Sequence, residues 1–327
     1  MRYQKYWLVG VIMAASASLA SQAVAQPAKY PARPISLVVG AAPGGPTDAV
    51  ARLLGEQMSK SMGVPIVVVN KGGGGGVIAS QFVAEKPADG YTLLMGSIST
   101  HGINSTLYKN LGYDAVNDFS PISEVVSYPL VLVVNPKKVS AKNIKEFIDY
   151  ARKNSKTINR GSAGNGTSMH LAGELFNHVA GTNLNHVPYK GSAPAMQALI
   201  AGQIDVDFES MTVALAHIRS GTVRALGVTG SERSPLLPDV PTIAEALPSY
   251  HFSGWLGLLA PSGTPQEIID RLHDETAKAL SVPEVQQKLK LQAMQPKSSS
   301  PSEFKAFIAE QIESLGEIVR RSGATAG

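Results

Sequence analysis

The chain has 327 residues, 44% hydrophobic and 17% charged, with 31 Gly, 21 Pro, no Cys and a formal charge of +4. That length allows roughly two ordinary domains, and the apolar share excludes wholesale disorder. The missing cysteine excludes disulfides, Cys-ligated zinc, iron–sulfur clusters, thiol nucleophiles and a lipid anchor on an N-terminal Cys. The first predicted element is residues 1–25, MRYQKYWLVGVIMAASASLASQAVA. Arg2 and Lys5 precede an apolar stretch from Trp7 to Leu19, and Ala23-Val24-Ala25 fits a signal-peptidase site. The apolar run is short for a bilayer, which needs about 20 residues. Cleavage after Ala25 is therefore expected, with Gln26 opening a mature chain exported to a periplasm. Loss of Arg2 and Lys5 lowers the formal charge from +4 to +2. No Lys/Arg run or basic stripe with aromatics appears, so nucleic acid is not an expected partner.

The remaining elements alternate. Ile35 to Val39 reads as a buried strand, followed by the turn Ala41 to Pro46 and a helix from Thr47 to Met62. Val50, Leu54, Met58 and Met62 recur there at helical spacing, and Thr47 or Asp48 can cap the helix, with Pro46 suited to its start. A strand at Ile66–Val69 leads into the glycine run Gly72 to Gly76 and a helix over 77–84, then a strand at Tyr91–Met95. Such βαβ units predict a mainly parallel, doubly wound sheet with ligand loops at the strand C-termini. Phe119 to Asn135 is β-rich around Val131–Val134, and the pattern then restarts. Helices are predicted over 141–153, 169–180, 193–201 and 212–219, and strands over 157–160, 185–188, 204–208, 223–228 and 252–259. Three mostly helical stretches finish the chain. Two α/β units with a central insert predict lobe I as residues 27–130 plus 257–327 and lobe II as 131–256, joined by two hinge strands. One large α/β domain is the alternative.

Chemistry motifs are mostly missing. No G-x-S-x-G, HExxH or GxxxxGK[ST] occurs, and the glycine run fits no register of G-x-G-x-x-G, because Val77 and Ile78 follow it. A tight or flexible strand-to-helix loop explains that run as well. The histidines show no metal-ligand spacing, so no metal site and no cofactor are expected. Ser168, His170 and Glu174 lie close in sequence, which is weak support for a triad. Three turns say more, because each joins a strand end to a helix start, where open N–H groups and the helix dipole favour anions. They are Ala42-Pro43-Gly44-Gly45-Pro46-Thr47-Asp48, Gly164-Asn165-Gly166-Thr167-Ser168-Met169-His170 and Tyr189-Lys190-Gly191-Ser192-Ala193-Pro194. The first reads equally as a capped turn, and Lys190 equally as a solvated surface charge.

The segments YPARPISLVVGAAPGGPTDAVARLL, ADGYTLLMGS, GSAGNGTSMHLAGELF, HVPYKGSAPAMQALIAGQIDVDF, RALGVTGSERSPLLPDVPTIAEA and WLGLLAPSGTP, in this order, closely resemble the Bug family. These are the extracytoplasmic binding proteins of tripartite tricarboxylate transporters, and the resemblance spans essentially the whole mature chain. It implies an α/β, two-lobed type II periplasmic-binding-protein fold. It also implies a carboxylate ligand, held in the first lobe partly through ordered waters, and membrane permease subunits as partners. Carried over by position, the first-lobe loop is Ala41, Ala42, Pro43, Gly44, Gly45 and Thr47, with Asp48 beside it. Ser97, Ser99 and Thr100 form a polar strand end lining the cleft. Gly164, Asn165, Thr167, Ser168 and His170 form the second-lobe loop, with Tyr189 and Lys190 next to it. Two departures stand out. Gly40-Ala41-Ala42 replaces the family's frequent aromatic and proline, and Glu209 replaces a frequent Asp that can bind a ligand amine or hydroxyl. A roomier cleft suits an aromatic acid as well as a citrate-like one. The expected protein is a non-enzymatic, monomeric solute-binding protein. The alternatives are a sensor component feeding a kinase and a periplasmic enzyme on the same scaffold.

Overall fold

The computed structural model describes residues 30–322 and 324–326. The predicted signal segment and its cleavage site lie outside the described residues. Residues from Arg33 onward hold together as one unit.

Short apolar runs ended by Gly, Asn or Ser make the strands β1 (Ile35–Val39), β2 (Ile66–Asn70) and β3 (Thr92–Ser97). Helices Pro46–Met62 and Val77–Ala84 connect them. The first buries Val50, Leu54, Met58 and Met62 on one face and ends at Gly63, whose φ of 72° closes the helix in the left-handed conformation. Its N-cap is Gly45, with Pro46 in the first turn and no side-chain cap bond, so the predicted capping by Thr47 or Asp48 is not what forms. Asp48 is turned to a different task, described below.

The β-rich passage splits at Pro129 into β4 (Phe119–Tyr128) and β5 (Leu130–Val134). Proline has no N–H to give a sheet ladder, and here the chain changes sheets. The second sheet then takes β6 (Asn159–Ser162), β7 (Asn185–Pro188), β8 (Val206–Ser210) and β9 (Arg224–Val228). Helices Ile144–Lys153, Ser168–Ala180, Ser192–Ile200 and Met211–Arg219 intervene. The chain returns as β10 (Gly254–Pro261), and the two-residue strand β11 (Gln295–Pro296) completes the first sheet.

The strand orders are β2-β1-β3-β10-β4-β11 and β7-β6-β8-β5-β9. In the first, β1 is parallel to β2 and β3, but β10 is antiparallel to both β3 and β4. In the second, β6 is parallel to β7 and β8, while β5 is antiparallel to β8 and β9. The expectation of mainly parallel sheets is therefore corrected. A strand arriving from the other lobe enters at the opposite end of its sheet and must run against its neighbours. Each sheet holds one such visitor in its interior, β10 in the first and β5 in the second. The two crossings are tied together, since Leu130 N–H donates to Thr229 Oγ1 (2.8 Å) and Thr229 N–H to Leu130 O (2.9 Å).

Trp255 on β10 is buried, packs edge-on against Phe304 (5.6 Å) and Phe307 (5.4 Å), and donates from Nε1 to Gln311 Oε1 (3.1 Å). These contacts fasten the final helix Pro301–Ser322, which also packs on the helix Ser168–Ala180 of the second lobe. Deleting such a ring from a core costs about 3–5 kcal/mol. In the second lobe, Phe147, Phe176, Phe208 and Tyr250 make a chain of ring contacts. No helix among the described residues is long and apolar enough to cross a membrane.

Candidate functional site

The parallel strands of each sheet end on one edge. In the first sheet β1 connects to β2 on one side while β3 lies on the other; β6 stands likewise between β7 and β8. The loops leaving such a pair diverge and open a crevice at the strand C-termini. The three sequence turns follow β1, β6 and β7, while Ser97 ends β3 and Ser99 and Thr100 come just after it.

In the first loop Ala42, Pro43 and Gly44 are exposed, and Gly44 has a φ of 82°. Asp48 is buried beneath it. Its carboxylate accepts from Gly44 N–H, Arg52 Nε, Arg52 Nη2 and Asn70 Nδ2, each at 2.9 Å. Asn70 also donates to Ala41 O (3.1 Å). Burial pushes the Asp48 carboxyl up, but the Arg52, Gly44 and Asn70 bonds outweigh it and hold it below the usual range. Asp48 thus clamps the loop from inside lobe I. Thr47 is half-buried at the helix start, where Pro46 has no N–H and Ala49 N–H already donates to Gly45 O (3.0 Å).

The loops after β1, β2 and β3 touch through small residues. A Cβ on Gly40 would stand 2.8 Å from Gly76 Cα, and one on Gly76 (φ 90°) 2.6 Å from Thr100 Cγ2. The glycine run is therefore a tight packed loop with a 3₁₀ turn at Gly74–Gly76. Ser97 N–H donates to Thr100 Oγ1 (2.9 Å) and Thr100 N–H to Ser97 Oγ (3.4 Å), so these hydroxyls brace the strand end. Thr100 is buried; Ser99 is half-buried.

In the second-lobe loop, Thr167 caps the helix Ser168–Ala180 by accepting from His170 N–H (3.4 Å), and its hydroxyl donates to Gly164 O (2.8 Å). Asn165 is exposed. Ser168 is buried against Tyr128, whose hydroxyl burial pushes up to about 12. His170 faces Gly166 N–H and Glu174 rather than Ser168, so the sequence neighbours Ser168, His170 and Glu174 do not assemble as a triad. Tyr189 is half-buried and Lys190 exposed. Across the gap, a Cβ on Gly166 would meet Leu107 Cδ2 at 2.6 Å and Asn104 Oδ1 at 3.1 Å. Asn104 Nδ2 donates to Gly75 O (3.1 Å), and its buried Oδ1 has no hydrogen-bond partner among the described residues.

The fold is shared with known proteins. The family model described as "Tripartite tricarboxylate transporter family receptor" matches residues 50–324. The chain belongs to this family. Protein BugT of Bordetella pertussis is 38% identical over 297 residues, covering 90% of this chain and 91% of BugT. Among solved structures, an R. palustris protein with adipate superposes with a TM-score of 0.84 at 33% identity, covering 90% of this chain and 99% of that one. MatC from Rhodopseudomonas palustris with bound malate gives 0.81 at 34% identity, covering 89% and 100%. The two sheets make the two-lobed type II periplasmic-binding-protein fold.

In this family receptor Glu209 is fully buried, at the starts of the helices Met211–Arg219 and Ser192–Ile200. Its Oε1 accepts from Ser210 N–H (2.6 Å), and Ser192 approaches it. Burial pushes the Glu209 carboxyl up to about 7, and burial with the nearby Glu209 also raises Asp207. Among the described residues there is no group of three or more His, Asp or Glu able to hold a metal. Sequence reading missed Asn104, Tyr128 and His186. His186 carried a usable signal, standing three residues before Tyr189 in a turn already singled out; Asn104 and Tyr128 are brought in by the fold.

Proposed function

We propose that this chain is a periplasmic solute-binding protein that captures a carboxylate-bearing small molecule between its lobes and delivers it to a tripartite tricarboxylate-type permease. The observation that carries this reading is the pairing of strand-end loops at the crevices of both sheets, each opening a helix. Backbone N–H groups and small hydroxyls at such loops grip carboxylates through charge-assisted hydrogen bonds. The adipate- and malate-bound relatives support the same class of ligand. The site comprises Ala41–Gly45 and Thr47 from lobe I and Gly164, Asn165, Thr167 and Ser168 from lobe II, with Ser97, Ser99, Tyr189 and Lys190 at its margins. Since β5 starts at Leu130 and β10 at Gly254, lobe I comprises the chain up to residue 129 and from 254, and lobe II residues 130–253. A ligand that bridges both lobes favours the closed state by its differential affinity. No covalent step is assigned to the site.

Calorimetric titration tests this reading, with a panel of adipate, malate, citrate, benzoate and simple monocarboxylates on ligand-stripped, refolded protein. One acid class should bind at a single site. If none binds to protein with native circular dichroism, the reading is wrong.

A further inference from the structure

The second-lobe loop is held from below by two imidazoles. His170 lies in the first turn of the helix Ser168–Ala180 and His186 on β7. Their rings stack at 4.0 Å with an interplanar angle of 13°. The parallel register Arg160↔His186 and Ser162↔Pro188 brings β7 alongside the loop's origin. His186 Nε2 is 2.6 Å from Ser162 Oγ, which in turn accepts from Gly164 N–H (3.1 Å). His170 Nδ1 accepts from Gly166 N–H (3.3 Å). Each ring therefore secures one glycine of the same loop. Gly164 and Gly166 have φ values of 126° and 75°, where side-chain-bearing residues rarely go, so the loop's shape depends on such tethers.

The surroundings constrain the protons. His170 Nδ1 must be bare to accept from Gly166, which leaves its proton on Nε2, 3.5 Å from Glu174 Oε1. Glu174 is also paired with Arg160, whose Nη1 donates to His170 O (3.2 Å). Arg160 in turn feels Asp207 from β8 and Tyr250. Burial, then His170 and Arg160, push the His186 imidazole down to about 2, so this ring stays neutral.

We propose that the His170–His186 stack is a positioning element for the ligand loop: through the Ser162 hydroxyl and the bare His170 Nδ1 it fixes Gly164 and Gly166 in the ligand-competent shape. This rests on the solute-binding reading above for its ligand, but not for its effect on the loop.

The test uses the full mature chain and two readouts. Amide hydrogen exchange at Gly164 and Gly166 needs no ligand; adipate titration reports capture. His170→Asn places an amide oxygen near the Nδ1 position, and His170→Leu removes the acceptor. At one neutral pH, His170→Leu should lose the protection of both glycine amides relative to wild type and weaken adipate binding by about tenfold, while His170→Asn should keep both close to wild type. If His170→Leu keeps wild-type protection at both glycines, or if His170→Asn loses it as fully as His170→Leu does, the proposal is overturned. If adipate does not bind while the glycine protection behaves as expected, the positioning role stands and adipate is removed from the ligand reading.

Discussion

Asp48→Ala separates a residue that binds ligand from one that shapes the binding loop. The truncation removes an acceptor used by Gly44, Arg52 and Asn70. The Arg52 side chain is 55% exposed, so water replaces most of its pairing and that part is worth under about 1 kcal/mol. The Gly44 and Asn70 bonds go to an ionised acceptor and are worth about 1.5 kcal/mol each. That is the low end for charged bonds, because Asn70 keeps its bond to Ala41 O and Gly44 can turn to water. Loss of an acid from the first helical turn adds about 0.5 kcal/mol. Asp48→Ala should therefore lower stability by about 4 kcal/mol in urea unfolding near neutral pH, and Arg52→Ala by less than about 1 kcal/mol. The Asp48 carboxyl is held below its ordinary value, so its contribution is complete above the unfolded-state pKa of about 3.9. It is lost as pH falls through the folded-state pKa, and the wild-type and Asp48→Ala curves should converge in acid. A variant within about 1 kcal/mol of wild type at neutral pH, or an Arg52→Ala loss as large as that of Asp48→Ala, would refute the clamp.

Gly40→Ala should destabilise by about 1–3 kcal/mol in thermal or urea unfolding, because the new methyl meets Gly76 backbone at 2.8 Å and no rotamer relieves it. Thr167→Ala should cost about 1 kcal/mol of stability through the lost cap, and pairing it with Ser168→Ala should weaken acid binding by about 1–3 kcal/mol in calorimetry. Glu209→Gln should flatten the pH dependence of stability. Because the folded-state pKa of Glu209 is raised to about 7, wild type is relieved of its cost in acid and loses stability as pH rises from about 4.3 through 7. A slope unchanged in Glu209→Gln would move that titration to another group.

The alternation of strands and helices was legible because each element carries a period or a short apolar run with a stop residue. Strand direction was not. The run at Val131–Val134 looks like any buried parallel strand; only the crossing at Pro129 makes it antiparallel. The loop positions were legible for the same reason as the strands, since each follows an apolar run. What lies beneath them was harder. Arg52 stands one helical turn from Asp48 and hints at their pair, but Asn70 joins them only through the pairing of β1 with β2. Likewise His170 and His186 are neighbours because β6 and β7 lie side by side. Asn104 sits in a four-residue helix whose sequence carries no period at all.

The position of β10 also bears on the order in which this protein folds. The pair β3–β4 flanks a place in the first sheet that is filled only by a strand lying beyond the whole second lobe in the chain. Until Gly254–Pro261 arrives, β3 presents a bare edge and β4 has no neighbour on that side. The second sheet has no such gap in time, because all five of its strands lie between Leu130 and Val228. Lobe II can therefore complete its sheet first, although lobe I is begun first. Closing lobe I requires contacts across more than a hundred residues of intervening chain, a slow step by the logic of contact order. The lobe that is begun first is the last to have its sheet closed.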